Sequence, residues 1–399
     1  MKFKYPLVGI ISILAISCGS ESFIKFASGK ISSFLDSHKD MTVAYQIDQG
    51  NEVIAHGSQG FFDRENSVKL EENQKMALAS ATKTMTAAII LKLQEKGMIS
   101  VHDKLIKYFD ESSGWWPENK APEWANEVTI HHLLNHTSGI ENYVPNLKFD
   151  PAIGFAKIKE LVVEFAAKTP LAAKVGEKYH YSNTNYFFLG LVIEKITGHD
   201  LADVFQQEIF QPLEMKDSRL ATFQEAIDYQ DGKMPDYPKR YFVIPGGDNP
   251  SYMDAKLDFY VVSYADGGVV STAQDLVKWN KALHNGKVLS DISYKQMITP
   301  YIEDDGDVLF GKTQVGYGIK IADIGGGKKI YYHSGMAIGV RSENGYSPSC
   351  DLSFALLSNV MPIQKDPKLQ IDFSDSKNQL DIGFLRSEIS SIIKNSSCK

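Results

Sequence analysis

Residues 77–90 read Ala77-Leu78-Ala79-Ser80-Ala81-Thr82-Lys83-Thr84-Met85-Thr86-Ala87-Ala88-Ile89-Ile90. The stretch sets a serine and a lysine three residues apart and runs on as an apolar segment that predicts a helix ending at Lys96-Gly97. Positions i and i+3 share a helix face, so the Lys83 amine falls beside the Ser80 hydroxyl. A serine hydroxyl is a weak nucleophile until a neighbouring base takes its proton. An amine does this only when burial or a second cation lowers its pKa. The run from Ala87 to Leu91 supplies that burial if the helix sinks into the core. The alternative is that Ser80 caps the helix and Lys83 points into solvent. So short a pattern does not decide between the two.

Outward from this segment, apolar residues between 23 and 37 recur at helical spacing. Thr42 to Asp48 and Glu52 to Gly57 read as two strands, joined by the turn Gln49-Gly50-Asn51. Helical spacing returns at 155–168, 184–197 and 199–210, with loop-like sequence between Trp115 and Trp124 and again from Pro235 to Tyr264. Past residue 300 the period changes to strands at 316–321, 329–333, 339–346 and 352–358, followed by an amphipathic helix over 378–394. Short returns between these strands predict antiparallel pairing. The expected architecture is mixed α/β (α+β): one antiparallel sheet completed by both ends of the chain and flanked by helices, with an inserted helical lobe. The sheet lobe takes about residues 21–95 and 285–399 and the helical lobe about 96–284, all within one domain over 18–399.

The chain has 399 residues, 43% of them hydrophobic, enough for a large core. Its net charge of −7 and the lack of a long basic run argue against a nucleic-acid footprint. Lys2 and Lys4 precede an apolar run from Pro6 to Ile16, which reads as a signal peptide over 1–17. That run is too short for a comfortable membrane span. Leu14-Ala15-Ile16-Ser17-Cys18 is similar to the lipobox of bacterial lipoproteins, although Ala15 stands where leucine is usual. The expectation is an exported, periplasmic protein anchored to a bacterial membrane through a lipidated Cys18. Cys350 and Cys398 remain, and an oxidising compartment allows them to pair.

Two further motifs carry chemistry. Tyr179-His180-Tyr181-Ser182-Asn183 opens an apolar helix. A phenol near cations can have its pKa drawn down toward a useful base, and Asn183 can donate to a substrate carbonyl. Tyr332-His333-Ser334-Gly335-Met336 ends a strand, where Gly335 lets a substrate approach the main chain and the Met336 N–H can face an oxyanion.

Ser80-Ala81-Thr82-Lys83, Tyr181-Ser182-Asn183 and His333-Ser334-Gly335 stand in the order and rough spacing of the serine β-lactamase and penicillin-binding superfamily. The chain resembles its class C-like branch, which includes D-alanyl-D-alanine carboxypeptidases and related esterases. Residues 129–140 and 266–276 resemble that branch's helix-to-loop segment and its glycine turn. The third box departs from the Lys-Thr-Gly of class C β-lactamases and is similar to the peptidase and esterase members.

The resemblance implies that Ser80 is acylated, that Lys83 and Tyr181 share the acid and base work, and that Asn183 holds the substrate amide or Lys83. It further implies that His333 and Ser334 contact the anionic or leaving side, and that the N–H groups of Ser80 and Met336 form the oxyanion hole. No cofactor or metal is implied. The substrate expected is a D-alanyl peptide, as for a carboxypeptidase; a β-lactam or an ester would use the same machinery. A non-catalytic interaction protein of the same fold is the alternative of another class.

Other patterns compete less well. Gly306 to Thr313 matches G-x-x-x-x-G-K-T, but an acidic segment precedes it and a strand, not a helix, follows. His132 and His136 have a metal-capable spacing without the glutamate of metalloproteases.

Overall fold

The two ends of the chain meet in a single sheet. The computed structural model describes residues 21–244, 250–255, 264–307, 310–362, 364–365, 371–372 and 381–398. Cys18 and the leader-like segment lie outside the described residues. Helix α1 (Glu21–Ser37) leads into β1 (Val43–Gln49) and β2 (Glu52–Gln59). Then come α2 (Thr82–Glu95), α3 (Ile130–Leu134), α4 (Gly154–Lys168), α5 (Asn183–Thr197) and α6 (Ala273–His284). The chain returns through β3 (Ile302–Asp307), β4 (Gly311–Val315), β5 (Lys320–Gly325), β6 (Lys328–Ala337), β7 (Val340–Ser347) and β8 (Leu352–Ser358), and closes with α7 (Gly383–Asn395).

These eight strands lie in the order β3-β4-β5-β6-β7-β8-β1-β2, each pair antiparallel. The N-terminal hairpin inserts beside β8, with Ile47 opposite Phe354. Alternation along β8 divides the core: Leu352, Phe354 and Leu356 face α1 and α7, while Ala355 and Leu357 face the side that holds α2 and α6. That period of two is the side-chain geometry of a strand buried on both faces. Helix α6, whose residues the sequence placed in the helical lobe, packs directly on β1, β7 and β8.

The sequence placed a strand over 316–321, whereas β5 begins at Lys320. Gly318 has φ +63°, and a Cβ there would stand 2.6 Å from the Lys83 carbonyl oxygen, so this segment is a turn pressed onto α2. The acidic segment before it lies in edge strand β3, which pairs with β4, and residues 308–309 of the P-loop-like run lie outside the described residues. The last helix begins at Gly383 and not at 378; residues 373–380 lie outside the described residues.

Cys350, after β7, is bonded to Cys398, beyond α7, with a Cα separation of 5.0 Å. This bond closes a loop with a sequence separation of 48 and fixes the far end of α7 to the sheet. Loop-closure entropy puts its contribution at about 3–4 kcal/mol. Reduction, or Cys398→Ser, is therefore expected to lower the unfolding free energy by up to that amount. Urea titrations with and without reductant would check it, and coincident curves would refute it.

Candidate active site

Ser80 lies in a short 3-10 turn, Ala79–Ala81, that feeds directly into α2. Ala79 has φ +47°, a left-handed conformation that a non-glycine residue holds only when its surroundings impose it. Three contacts impose it here. The Leu78 N–H donates to the Val269 carbonyl at 2.8 Å, the Ser342 hydroxyl donates to the Leu78 carbonyl at 2.6 Å, and the Val269 N–H donates to Thr82 Oγ1 at 3.1 Å. The nucleophile's turn is thus clamped between the 269–271 strand and β7.

Helix α2 is buried on nearly every side, from Thr82 through Leu91 and at Leu93. Lys83 is 0% exposed. Its Nζ donates to Ser80 Oγ at 3.0 Å, Asn183 Oδ1 at 2.7 Å and the Asp266 carbonyl at 2.6 Å. Burial, opposed by the nearby Asp266 carboxylate, brings its pKa down to about 7. A lysine pointing into solvent is not what the fold contains.

The Tyr181 hydroxyl donates to Ser80 Oγ at 2.7 Å. The sequence suggested a phenol drawn down toward a base. Burial instead pushes its pKa up; the bond to Ser80 opposes this and the Asp266 carboxylate adds to it. Tyr181 is therefore a protonated donor in the resting site.

Asn183 opens α5 and spans two partners: its side chain accepts from Lys83 and donates to Asn142 Oδ1 at 3.2 Å. Beside Tyr181 lies the His136 ring, its centroid 4.5 Å away. His136 Nδ1 accepts from the Ser182 N–H and from Asn185 Nδ2, both at 3.2 Å. Burial lowers its pKa well below the usual imidazole range, so a neutral His136 carries its proton on Nε2 and acts as a wall for Tyr181. His131 and His132 are turned to other tasks: His131 meets the Tyr317 hydroxyl, and His132 sits in the α3 N-terminal cap.

Strand β6 forms the opposite side of the site. Its pairing with β5 ends at Lys320–Tyr332, so from His333 onward one edge is free. Alternation of the β6–β7 ladder, counted from the Ala337–Val340 pair at the two-residue turn, leaves the Met336 N–H pointing to that free edge. Gly335 faces the nucleophile's turn so closely that a Cβ would lie 2.0 Å from the Leu78 carbonyl oxygen and 2.3 Å from Ser342 Oγ. Gly335→Ala is expected to push β6 away from Ser80 and lower kcat/KM about 100-fold, since ångström-scale misplacement costs that much. Steady-state assays would check this, and near-wild-type turnover would contradict it.

Ser334 and its neighbours were only partly anticipated. The Ser334 hydroxyl donates to Glu343 Oε2 at 2.7 Å and accepts from Arg386 Nη1 at 2.9 Å. The Asn344 side chain donates to the His333 carbonyl at 2.7 Å. Asp266, read in the sequence only as part of a glycine turn, holds Lys83 through its carbonyl, while its carboxylate accepts from the Tyr143 hydroxyl and the Tyr264 N–H.

With this geometry in place, comparison with known proteins is direct. The Beta-lactamase family model matches residues 29–375. Penicillin-binding protein 4* of Bacillus subtilis is 28% identical over 293 residues, covering 72% of this chain and 61% of that protein. The D-alanyl-D-alanine-carboxypeptidase/endopeptidase AmpH of Escherichia coli is 25% identical over 214 residues, 54% of this chain and 50% of the relative. The chain thus spans about half to three-fifths of these relatives' lengths. Among solved structures, D-amino acid amidase from Ochrobactrum anthropi shares the fold, with a TM-score of 0.74 at 22% identity over 93% of this chain and 99% of that one.

Proposed function

Because the chain belongs to the beta-lactamase family of serine hydrolases, we propose that it cleaves peptide-type amides of the D-alanyl class through an acyl-Ser80 intermediate. The observation that carries this reading is the buried Lys83 amine, 3.0 Å from Ser80 Oγ with a pKa of about 7. When Lys83 is neutral its two N–H bonds stay with Asn183 Oδ1 and the Asp266 carbonyl, its lone pair turns to Ser80, and Nζ takes the Ser80 proton as Oγ attacks the substrate carbonyl. The developing oxyanion is received by the N–H groups of Ser80 and Met336. Tyr181 then protonates the departing amine and is reprotonated from the Lys83 ammonium. Water enters where the amine left, and the same two groups run in reverse to release the acid. A protonated phenol beside the nucleophile supplies the acid that amide cleavage needs, because an amine departs only once protonated. The reading extends to location: an exported protein tethered through a lipidated Cys18.

The test is to quench turnover of a D-alanyl amide or a reactive penicillin in acid and map the adduct by mass spectrometry. An acyl group on the peptide containing Ser80 is expected. An adduct on another residue, or turnover with no adduct under rapid quench, would overturn the reading.

The pH dependence follows from the base. Lys83 works only when deprotonated, so kcat/KM should rise tenfold per pH unit below about 7 and level off above it. A rate already flat from pH 5 upward would exclude Lys83 as the base.

A further inference from the structure

His333 and Ser334 are the residues that the family resemblance assigns to the anionic or leaving side, and their hydrogen bonds give that wall a definite polarity. His333 Nδ1 lies 2.7 Å from the Ser334 carbonyl oxygen, which can only accept, so Nδ1 carries the proton. Burial, aided by the nearby Lys83 and Lys320 charges, keeps the ring neutral, with its pKa brought down to about 3. His333 Nε2 is left as an acceptor. The single Ser334 hydroxyl proton is committed to Glu343 Oε2.

Behind Ser334 lies a buried charge cluster. Arg386 pairs with Glu343 at 2.9 Å and Asp307 at 3.2 Å, and Arg341 pairs with Glu343 at 3.0 Å and Asp381 at 3.2 Å. Two guanidiniums against three carboxylates leave the cluster net negative. The cations that act on His333 are also engaged: Lys83 donates to three acceptors of its own, and Lys320 is paired with Asp304. Among the described residues, each cation of this wall is paired with a carboxylate, Arg341 through Nη2 while its Nη1 turns to Met336 Sδ at 3.8 Å, and the Ser334 hydroxyl proton is committed.

We propose that the wall formed by His333 and Ser334 selects a neutral, N–H-bearing group on the leaving side, a carboxamide or a peptide chain that continues past the scissile bond, over a free terminal carboxylate. This rests on the reading above, in which Ser80 is acylated with the substrate lying along the free edge of β6. An N–H can donate to His333 Nε2. A carboxylate would meet that nitrogen's lone pair, with the Ser334 proton already committed to Glu343 and nothing donated to replace the water it loses. The expectation of a carboxypeptidase thereby narrows toward an amidase or an endopeptidase.

The experiment compares an N-acyl-D-alanyl-D-alanine with its C-terminal carboxamide on the wild-type protein at neutral pH. Each is measured as a substrate and as a competitor of a chromogenic acyl ester. The carboxamide is expected to have the higher kcat/KM and the lower inhibition constant, by about tenfold or more. Equal or better handling of the free acid, in either measurement, overturns the proposal. A His333→Lys variant should move the acid-to-amide ratio toward the acid by a similar factor, and an unchanged ratio in an active variant also counts against it. Failure of the parent reading looks different: ester hydrolysis would then survive Ser80→Ala.

Discussion

Replacing Lys83 by alanine is expected to lower kcat/KM by about 10³–10⁴-fold, at the upper end of what a positioned general base supplies. The argument rests on burial. An exposed lysine would be a cation at neutral pH and useless for accepting the Ser80 proton, but with 0% exposure its pKa falls to about 7. About half of the molecules then hold a neutral amine against Ser80 Oγ at that pH. Lys83→Arg separates this role from a purely electrostatic one. A guanidinium stays charged and cannot act as a base, so the arginine variant should be as inactive as the alanine one. The break in the pH profile should vanish from any residual activity of either. Arginine restoring most of the rate would show that positive charge, not proton transfer, is what the position contributes.

What could be read in the sequence follows a physical division. Ser80 and Lys83 were legible because their contact is local, one turn apart at the head of a helix. The hairpin Val43–Gln59 and strands β6 to β8 were legible because turn residues and side-chain alternation are local as well. Edge strand β3 escaped, since Glu303, Asp304 and Asp307 break the apolar period that marks a strand, and its neighbour β4, Gly311 to Val315, carries mostly polar residues. Residues 316–319 carry apolar side chains at strand-like spacing, but Gly318 turns them onto α2.

The distant partners in the site left no such trace. Asp266 reaches Lys83 across 183 residues through a carbonyl, which every residue has. Arg386 reaches Ser334 across 52 residues from an amphipathic helix whose pattern shows only that one face is buried. Tyr181 shows a different limit. The resemblance implied acid and base work for it, and its hydroxyl does meet Ser80 Oγ, yet its electrostatics ran the other way, because desolvation and the Asp266 carboxylate outweigh the bond to Ser80. Side-chain identity told which groups are present; burial, a property of the whole fold, set their protonation.

The second large effect concerns stability. Glu343→Ala is expected to cost about 3–5 kcal/mol, the usual result of removing one member of a fully buried ion pair. The Glu343 side chain is 0% exposed and accepts from Arg341, Arg386 and the Ser334 hydroxyl. Its loss leaves Asp381 and Asp307 as the carboxylates holding the two guanidiniums, each at 3.2 Å. A cavity is added to the electrostatic penalty. Glu343→Gln keeps the volume and an acceptor for Ser334, so it should cost clearly less than alanine. The ranking matters because it separates charge from packing: a cost set by volume alone would leave glutamine near wild type, one set by charge alone would make it as costly as alanine, and a shared cost places it between. Urea unfolding monitored by tryptophan fluorescence would give both values. A loss below about 1 kcal/mol for alanine would mean that Asp307 and Asp381 alone satisfy both arginines. In glutamine the cluster becomes neutral while Ser334 keeps an acceptor, so its discrimination against a carboxylate should weaken even where its stability holds. Stability and specificity would then be traced to the same side chain by two independent measurements.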